Sequence, residues 1–273
     1  MQRSRLHPLR LILIGLALLF LSGGSCITLE RPYKAPRAAE VIAALQARGK
    51  RVVSIRAETR MSHRSAQGKV KATVRLMARR GGKLRFDAVT PFDTPLATLV
   101  SDGKQFGLLD AQKNRHFHGP ASPCNISRLI GVVLQADDVL TILGGSTPLI
   151  EHTKASLEWD SRASAEVLTL KGDRATQTVR LDGHERSWDL QRSEIKDDKG
   201  AVVLLIEAGG FVKRGDLRVP TTLSVRQPKY KAELELTFKK QELNLTLPAA
   251  AFELPAAGGL SSQRVECDTV IKP

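Results

Sequence analysis

The side chains that could carry chemistry are few and widely spaced. His116 and His118 stand two apart, which places both imidazoles on one face of a strand, near enough to share a metal ion. No cysteine or carboxylate lies at ligand spacing beside them, so they read as two half-exposed strand histidines and no metal is expected. A catalytic serine would sit on a glycine-flanked elbow, and no G-x-S-x-G occurs. Adjacent carboxylates appear at Asp137-Asp138 and Asp197-Asp198. The first pair opens a helix, where the dipole favours anions, and the second precedes Lys199-Gly200 in a hairpin turn. No Walker or dinucleotide-binding glycine pattern is present. The chain is therefore not expected to be an enzyme or to hold a cofactor.

Cysteine offers more. Residues 1–25 combine Arg3, Arg5 and Arg10 with an apolar run from Leu11 to Leu21, too short to span a bilayer and remain there, and read as a signal peptide. Leu21-Ser22-Gly23-Gly24-Ser25-Cys26 resembles the lipobox of bacterial lipoproteins, which implies a lipid anchor on Cys26. Gly23 stands where an aliphatic residue is usual, so cleavage near Ser25 by an ordinary signal peptidase is the alternative. Once Cys26 is acylated, Cys124 and Cys267 remain. An even pair in an oxidising compartment is expected to form a disulfide that pins the C-terminal tail; two separate free thiols are the other possibility.

The mature chain has 248 residues, enough for one large domain. Its formal charge falls from +14 to +11 as three arginines leave with the signal. Aromatic residues are scarce, and zinc spacing and a helix-turn-helix are both missing, which argues against nucleic acid. In the envelope, such a charge points to anionic lipid head groups. Arg79, Arg80 and Lys83 at one turn and Lys213, Arg214 and Arg218 at another are candidate patches for them, although solvated strand ends are the commoner explanation of such clusters.

Residues 26–36 read as a short lipidated tether containing Pro32 and Pro36. Ala38, Val41, Ile42 and Leu45 then predict an amphipathic helix over 37–48, with Gly49 as its stop. Period-two alternation follows in Val53 to Met61, Val70 to Ala78 and Leu84 to Ala88, and further strands are predicted at 96–101, 105–110 and 114–118. Two short apolar helical stretches occupy 126–134 and 139–143. Strands return at 155–160, 166–171, 176–182, 187–195, 202–208 and 217–226, and the last runs from Tyr230 to Phe238. About ten one-sided strands with two helices inserted midway leave a broad apolar face to cover. The expected fold is mainly β: a curved antiparallel sheet forming an incomplete, half-open β-barrel with a helical lid and an N-terminal amphipathic helix.

This order resembles the LolA/LolB-like family of envelope lipoprotein carriers and receptors over residues 37–257, with 258–273 as an additional tail. The most similar patches are Lys83-Leu84-Arg85-Phe86-Asp87-Ala88-Val89-Thr90-Pro91-Phe92-Asp93-Thr94, Asp137-Asp138-Val139-Leu140-Thr141-Ile142-Leu143-Gly144, and Leu245-Thr246-Leu247-Pro248 with Phe252. The resemblance implies a non-enzymatic module whose concave face receives acyl chains. The expected cavity is lined by Val74, Leu76 and Phe86 from the sheet, Ile130, Leu140 and Leu143 from the helices, and Leu234 and Leu236 from the last long strand. It also implies that Phe92 touches the membrane from a protruding loop; packing under its own loop is the plain alternative. Ile27 after the anchor cysteine, by the sorting rule that the resemblance brings, directs the protein to the outer membrane with its domain facing the periplasm. Expected partners are membrane lipid, acyl chains and a periplasmic lipoprotein carrier, with the chain a monomer. The competing function is a structural or assembly-accessory lipoprotein acting through protein contacts.

Overall fold

The computed structural model describes residues 28–66, 68–90, 92–253 and 259–267. The signal segment and the proposed anchor Cys26 lie outside the described residues. The chain opens with helix α1, Ala38–Arg51, which buries Val41, Leu45 and Gly49 at successive turns. Gly49 does not stop the helix. It lies inside the helix, buried, with a Cβ-sized group there coming into ordinary van der Waals contact with Thr141 and Ser146.

A first meander follows: β1 (Ser54–Ser65), β2 (Gly68–Arg79), β3 (Lys83–Val89), β4 (Pro95–Asp102), β5 (Gln105–Asp110) and β6 (Arg115–Pro120). Helices α2, Pro123–Ile130, and α3, Ala136–Leu143, interrupt it. A second meander contains β7 (Lys154–Asp160), β8 (Ala165–Lys171), β9 (Ala175–Asp182), β10 (Leu190–Asp197) and β11 (Val202–Gly209). The predicted strand over 217–226 is broken: β12 (Val212–Arg214) and β13 (Leu217–Val219) form a separate two-stranded ribbon before β14 (Thr222–Gln227). Pro220 lies at the break, where a ladder donor is missing. The long β15 (Ala232–Leu243) then pairs with β1, with Ile55 opposite Leu243 and Arg64 opposite Glu233.

That pairing joins the two meanders into one fourteen-stranded sheet of order β16-β6-β5-β4-β3-β2-β1-β15-β14-β11-β10-β9-β8-β7. The sheet curves without closing into a barrel. Its edges are β7 and β16 (Ser261–Arg264), which lies in the presumed tail and pairs with β6 in parallel, the exception to an otherwise antiparallel sheet. A cross-link holds it there: Cys124 and Cys267 are disulfide-bonded, their Cα atoms 6.2 Å apart across 143 positions of sequence.

The alternation read from the sequence decides which face is buried. Ile55, Ala57, Thr59 and Met61 of β1, and Ala232, Leu234, Leu236 and Phe238 of β15, point into the main core beneath the helices. The C-terminal segment crosses the opposite face, where Leu247 and Phe252 pack with Val100.

The tether differs from a free spacer. Trp159 Nε1 donates to the Leu29 carbonyl at 2.8 Å, Leu29 N–H donates to Ser161 O at 2.8 Å, and Arg31 pairs with the fully buried Glu166 at 2.8 Å. A carboxylate removed from water must be neutralised, and Arg31 from the tether supplies the charge. Residues 29–33 are thus part of the folded domain.

Candidate functional site

The site lies between the inner face of the sheet and the α2–α3 lid. Helix α2 starts on a Ser122 cap with Pro123 in its first turn and ends on Gly131 in the left-handed region, φ 79°. Its N-terminal end is held by the disulfide and by Asn125, whose side-chain amide donates to Pro120 O at 2.9 Å and Val265 O at 3.3 Å. The two aspartates at the start of α3 do more than suit its dipole. Asp137 Oδ1 accepts from Gly81 N–H and Gly82 N–H, both at 3.1 Å, and so fastens α3 to the β2–β3 turn. Asp138 is partly buried, and burial followed by repulsion from Asp137 raises its carboxyl above the ordinary aspartate value.

Between the helices, residues 131–135 cross the sheet face and cannot join a strand ladder. The buried Gln227 side chain supplies the missing partners: it accepts from Val133 N–H at 2.7 Å and donates to Val133 O at 2.9 Å. Gln177 does the same farther along, accepting from Ile150 N–H at 3.0 Å and donating to Pro148 O at 2.9 Å. Each amide imitates one bridge of a sheet and satisfies backbone groups of Val133, or of Ile150 and Pro148, where the chain passes over apolar ground.

The space enclosed is lined on the lid side by Ile130, Val132, Leu134, Val139, Ile142 and Leu143. The sheet contributes Phe86, Leu223, Val225, Leu234 and Leu236. Leu223 faces Leu236 and Val225 faces Leu234 across β14 and β15, which makes the floor a continuous apolar pair of strands. The free volume is about 30 Å³, room for a water or two and far below an acyl chain. The lid's own side chains thus occupy the face. Of the expected lining, Phe86, Ile130, Leu143, Leu234 and Leu236 meet there, whereas Val74, Leu76 and Leu140 are buried in the surrounding core. The lining residues that sequence reasoning missed include Leu223 and Val225, legible from their alternation in β14, and Val132 and Leu134, which lie in the link rather than in a helix.

His63 of β1 abuts the same link. A methyl group built on Gly131 would stand 2.2 Å from the imidazole, so any side chain there would displace His63, and φ 79° already favours glycine. His63 Nε2 is buried without a well-formed hydrogen bond among the described residues. Burial pushes its pKa below the ordinary histidine value, and the neighbouring Gly131 backbone offsets part of that.

Phe92 projects from the β3–β4 loop, 91% exposed. Its described neighbours make local bonds: Thr90 Oγ1 accepts from Phe92 N–H at 3.2 Å and Thr94 N–H at 3.1 Å, Asp93 adopts φ 62°, and Arg75 pairs with the Asp93 carboxylate at 2.6 Å. His116 and His118 stack with ring centroids 5.4 Å apart, and both Nδ1 atoms face Ser262 Oγ, at 3.1 and 3.2 Å. No group of three or more metal-ligating side chains occurs among the described residues. Several of the clustered arginines serve the fold. Arg79 lies over Phe252 and donates to Leu247 O, Arg80 donates to Gly49 O, and Arg218 pairs with the buried Asp189 at 2.7 Å.

A broad open sheet with a two-helix lid fastened over its inner face defines the LolA/LolB-like fold, and this chain has it. The chain is similar to a LolA superfamily protein from Nitrosomonas europaea, with TM-score 0.52 and 11% identity over 81% of this chain and 99% of the other. It is similar also to an outer-membrane lipoprotein-sorting protein domain from Vibrio parahaemolyticus, with TM-score 0.50 and 16% identity over 79% and 97%. A DUF1329 family protein from Desulfovibrio piger gives TM-score 0.54 and 12% identity over 80% and 98%. At these identities the likeness is one of fold. No protein-family profile and no curated protein matches the sequence.

Proposed function

We propose that this chain is a lipoprotein, anchored through Cys26 with its domain facing the periplasm, which accepts acyl chains beneath its lid and helps insert lipoproteins into the outer membrane. The observation that carries this reading is the wholly apolar lining between α2–α3 and the β14–β15 floor, covered by a link whose inward backbone bonds are made to the Gln227 side-chain amide. An obligate core segment would be expected to close by strand pairing or helix packing throughout. Here the lid residues behave as place-holders that an acyl chain can replace, because leaving one apolar surface for another costs little hydrophobic free energy. The lipoprotein-sorting description of the Vibrio parahaemolyticus domain supports the same role by likeness of fold. Phe92, exposed on the β3–β4 loop, is the proposed membrane contact, and its burial in lipid would contribute about 1.5–3 kcal/mol.

The test is the lipid content of the protein purified from its envelope without detergent. Acyl-bearing molecules are expected by mass spectrometry in the wild type and are expected to be lost in Leu234→Glu, which puts a charge on the cavity floor. A wild type free of lipid that also fails to take up a fluorescent fatty acid would refute the proposal.

A further inference from the structure

Two short sequences of the same design stand side by side at one end of the sheet. The β1–β2 hairpin carries Lys69-Val70-Lys71, and the 3-10 turn between β14 and β15 carries Lys229-Tyr230-Lys231. The pairing of β1 with both β2 and β15 makes them neighbours: His63 is opposite Val70 on one side and Leu234 on the other, and Arg64 is opposite Lys69 and Glu233. In each triplet an apolar side chain is exposed between two cations, Val70 at 56% and Tyr230 at 37%. Exposing these costs hydrophobic free energy in water and would be relieved in lipid.

The surrounding charge has one sign. From Arg64 to Lys71 and from Arg226 to Lys231 there are six cations and no acid. Glu233, the nearest carboxylate in the register, is already shared by Arg64 at 3.6 Å and Arg226 at 3.1 Å. None of the four lysines forms an ion pair among the described residues; Lys229 lies 5.8 Å over the Tyr230 ring. Alternation along β2 sends Val70 to the inner face and Lys69 and Lys71 to the outer, so the hairpin tip presents both kinds of group at once. The Phe92 loop projects at the same end, since Val89 is opposite Thr73 and β2 continues past it to Gly68.

We infer that these paired triplets form a membrane-docking surface selective for anionic phospholipid, distinct from the Phe92 loop and adjoining it. Lysine stems can lie along the apolar groups while their ammonium heads reach lipid phosphates, and tyrosine suits the boundary between acyl chains and head groups. An acidic protein would satisfy the lysines but not Val70. The inference rests on the proposed membrane role and adds the chemistry of the head group to it. It also places docking beside the lid link, since the neighbouring His63 touches Gly131 and Gln227, next to Pro228, holds Val133.

The test uses the full chain with Cys26→Ser, so that no acyl anchor contributes, and vesicles of phosphatidylcholine alone or mixed with phosphatidylglycerol. Binding is expected to rise with phosphatidylglycerol and to fall with salt. The combined Lys69→Gln, Lys71→Gln, Lys229→Gln and Lys231→Gln variant should lose about tenfold or more of that dependence. The corresponding arginine variant should keep it, and fatty-acid uptake in solution should be unchanged in both. Equal binding to the two vesicle types, full binding by the glutamine variant, or loss in the arginine variant would overturn the inference. Failure of the cavity proposal would show separately, as absent fatty-acid uptake by the wild type.

Discussion

His63 shows how one residue can report on the lid. Its ring is wedged against Gly131, and burial holds it neutral below its ordinary pKa. Above the unfolded value of about 6.5 the folded and unfolded forms are both neutral and nothing is lost. As pH falls through that value, the unfolded chain gains a proton that the folded state resists, and stability drops until the depressed folded pKa is passed. The thermal midpoint of the wild type is therefore expected to decline across this window, and His63→Gln should remove that part of the decline. Identical pH profiles for the two proteins would show that the contact is not felt. Little of this was legible in the sequence, where His63 falls two residues beyond the strand read from Val53 to Met61. By contrast, alternation marks Leu234 and Leu236 as inward-facing, and the resemblance adds the cavity they line. Val74 and Leu76 share the same pattern yet sit deeper, because period two assigns a face and not a depth.

At the scale of elements, the lid is fastened unequally. The start of α2 is held by a disulfide and Asn125, and the segment after α3 by Ser146, Thr147 and Gln177. Between them, the 131–135 link depends on Gln227 for its two inward hydrogen bonds. Gln227→Ala removes both and leaves two backbone groups of Val133 to find water, a cost of about 1–3 kcal/mol confined to the lid. Faster uptake of a fluorescent fatty acid is expected in stopped-flow measurements, with the global thermal midpoint lowered only slightly. Unchanged uptake would mean that the link is not the part that moves. Helices and strands were recognisable from their periods, including the two lid helices. The fastenings were not, since a glutamine at a strand end looks like any solvated polar residue until the segment crossing it is known. The same holds for the irregular passage before β10, predicted as strand from 187: Trp188 has φ 45°, and Asp189 is turned inward to meet Arg48 and Arg218.

The whole molecule is an open sheet whose two halves come together only when β15, near the end of the chain, returns to β1. Such a topology depends on long-range contacts, and the Cys124–Cys267 bond supports it across 143 positions, a loop whose closure in the unfolded chain is worth about 5 kcal/mol in chain-entropy terms. The parallel strand β16 was hidden in the sequence because Ser261–Arg264 has no apolar alternation; at the edge of β6 it is held by ladder bonds, by Val265 against the core and by the cross-link at Cys267. On the proposed function, the link between the pinned flanks of the lid is where the protein's own side chains give way to those of a ligand. Hydrogen exchange of the backbone amides between residues 131 and 143, with and without palmitate, tests this directly. Palmitate should accelerate exchange there while the amides of β14 and β15 stay protected; palmitate binding with no change in that segment, or loosening spread over the whole sheet, would contradict it.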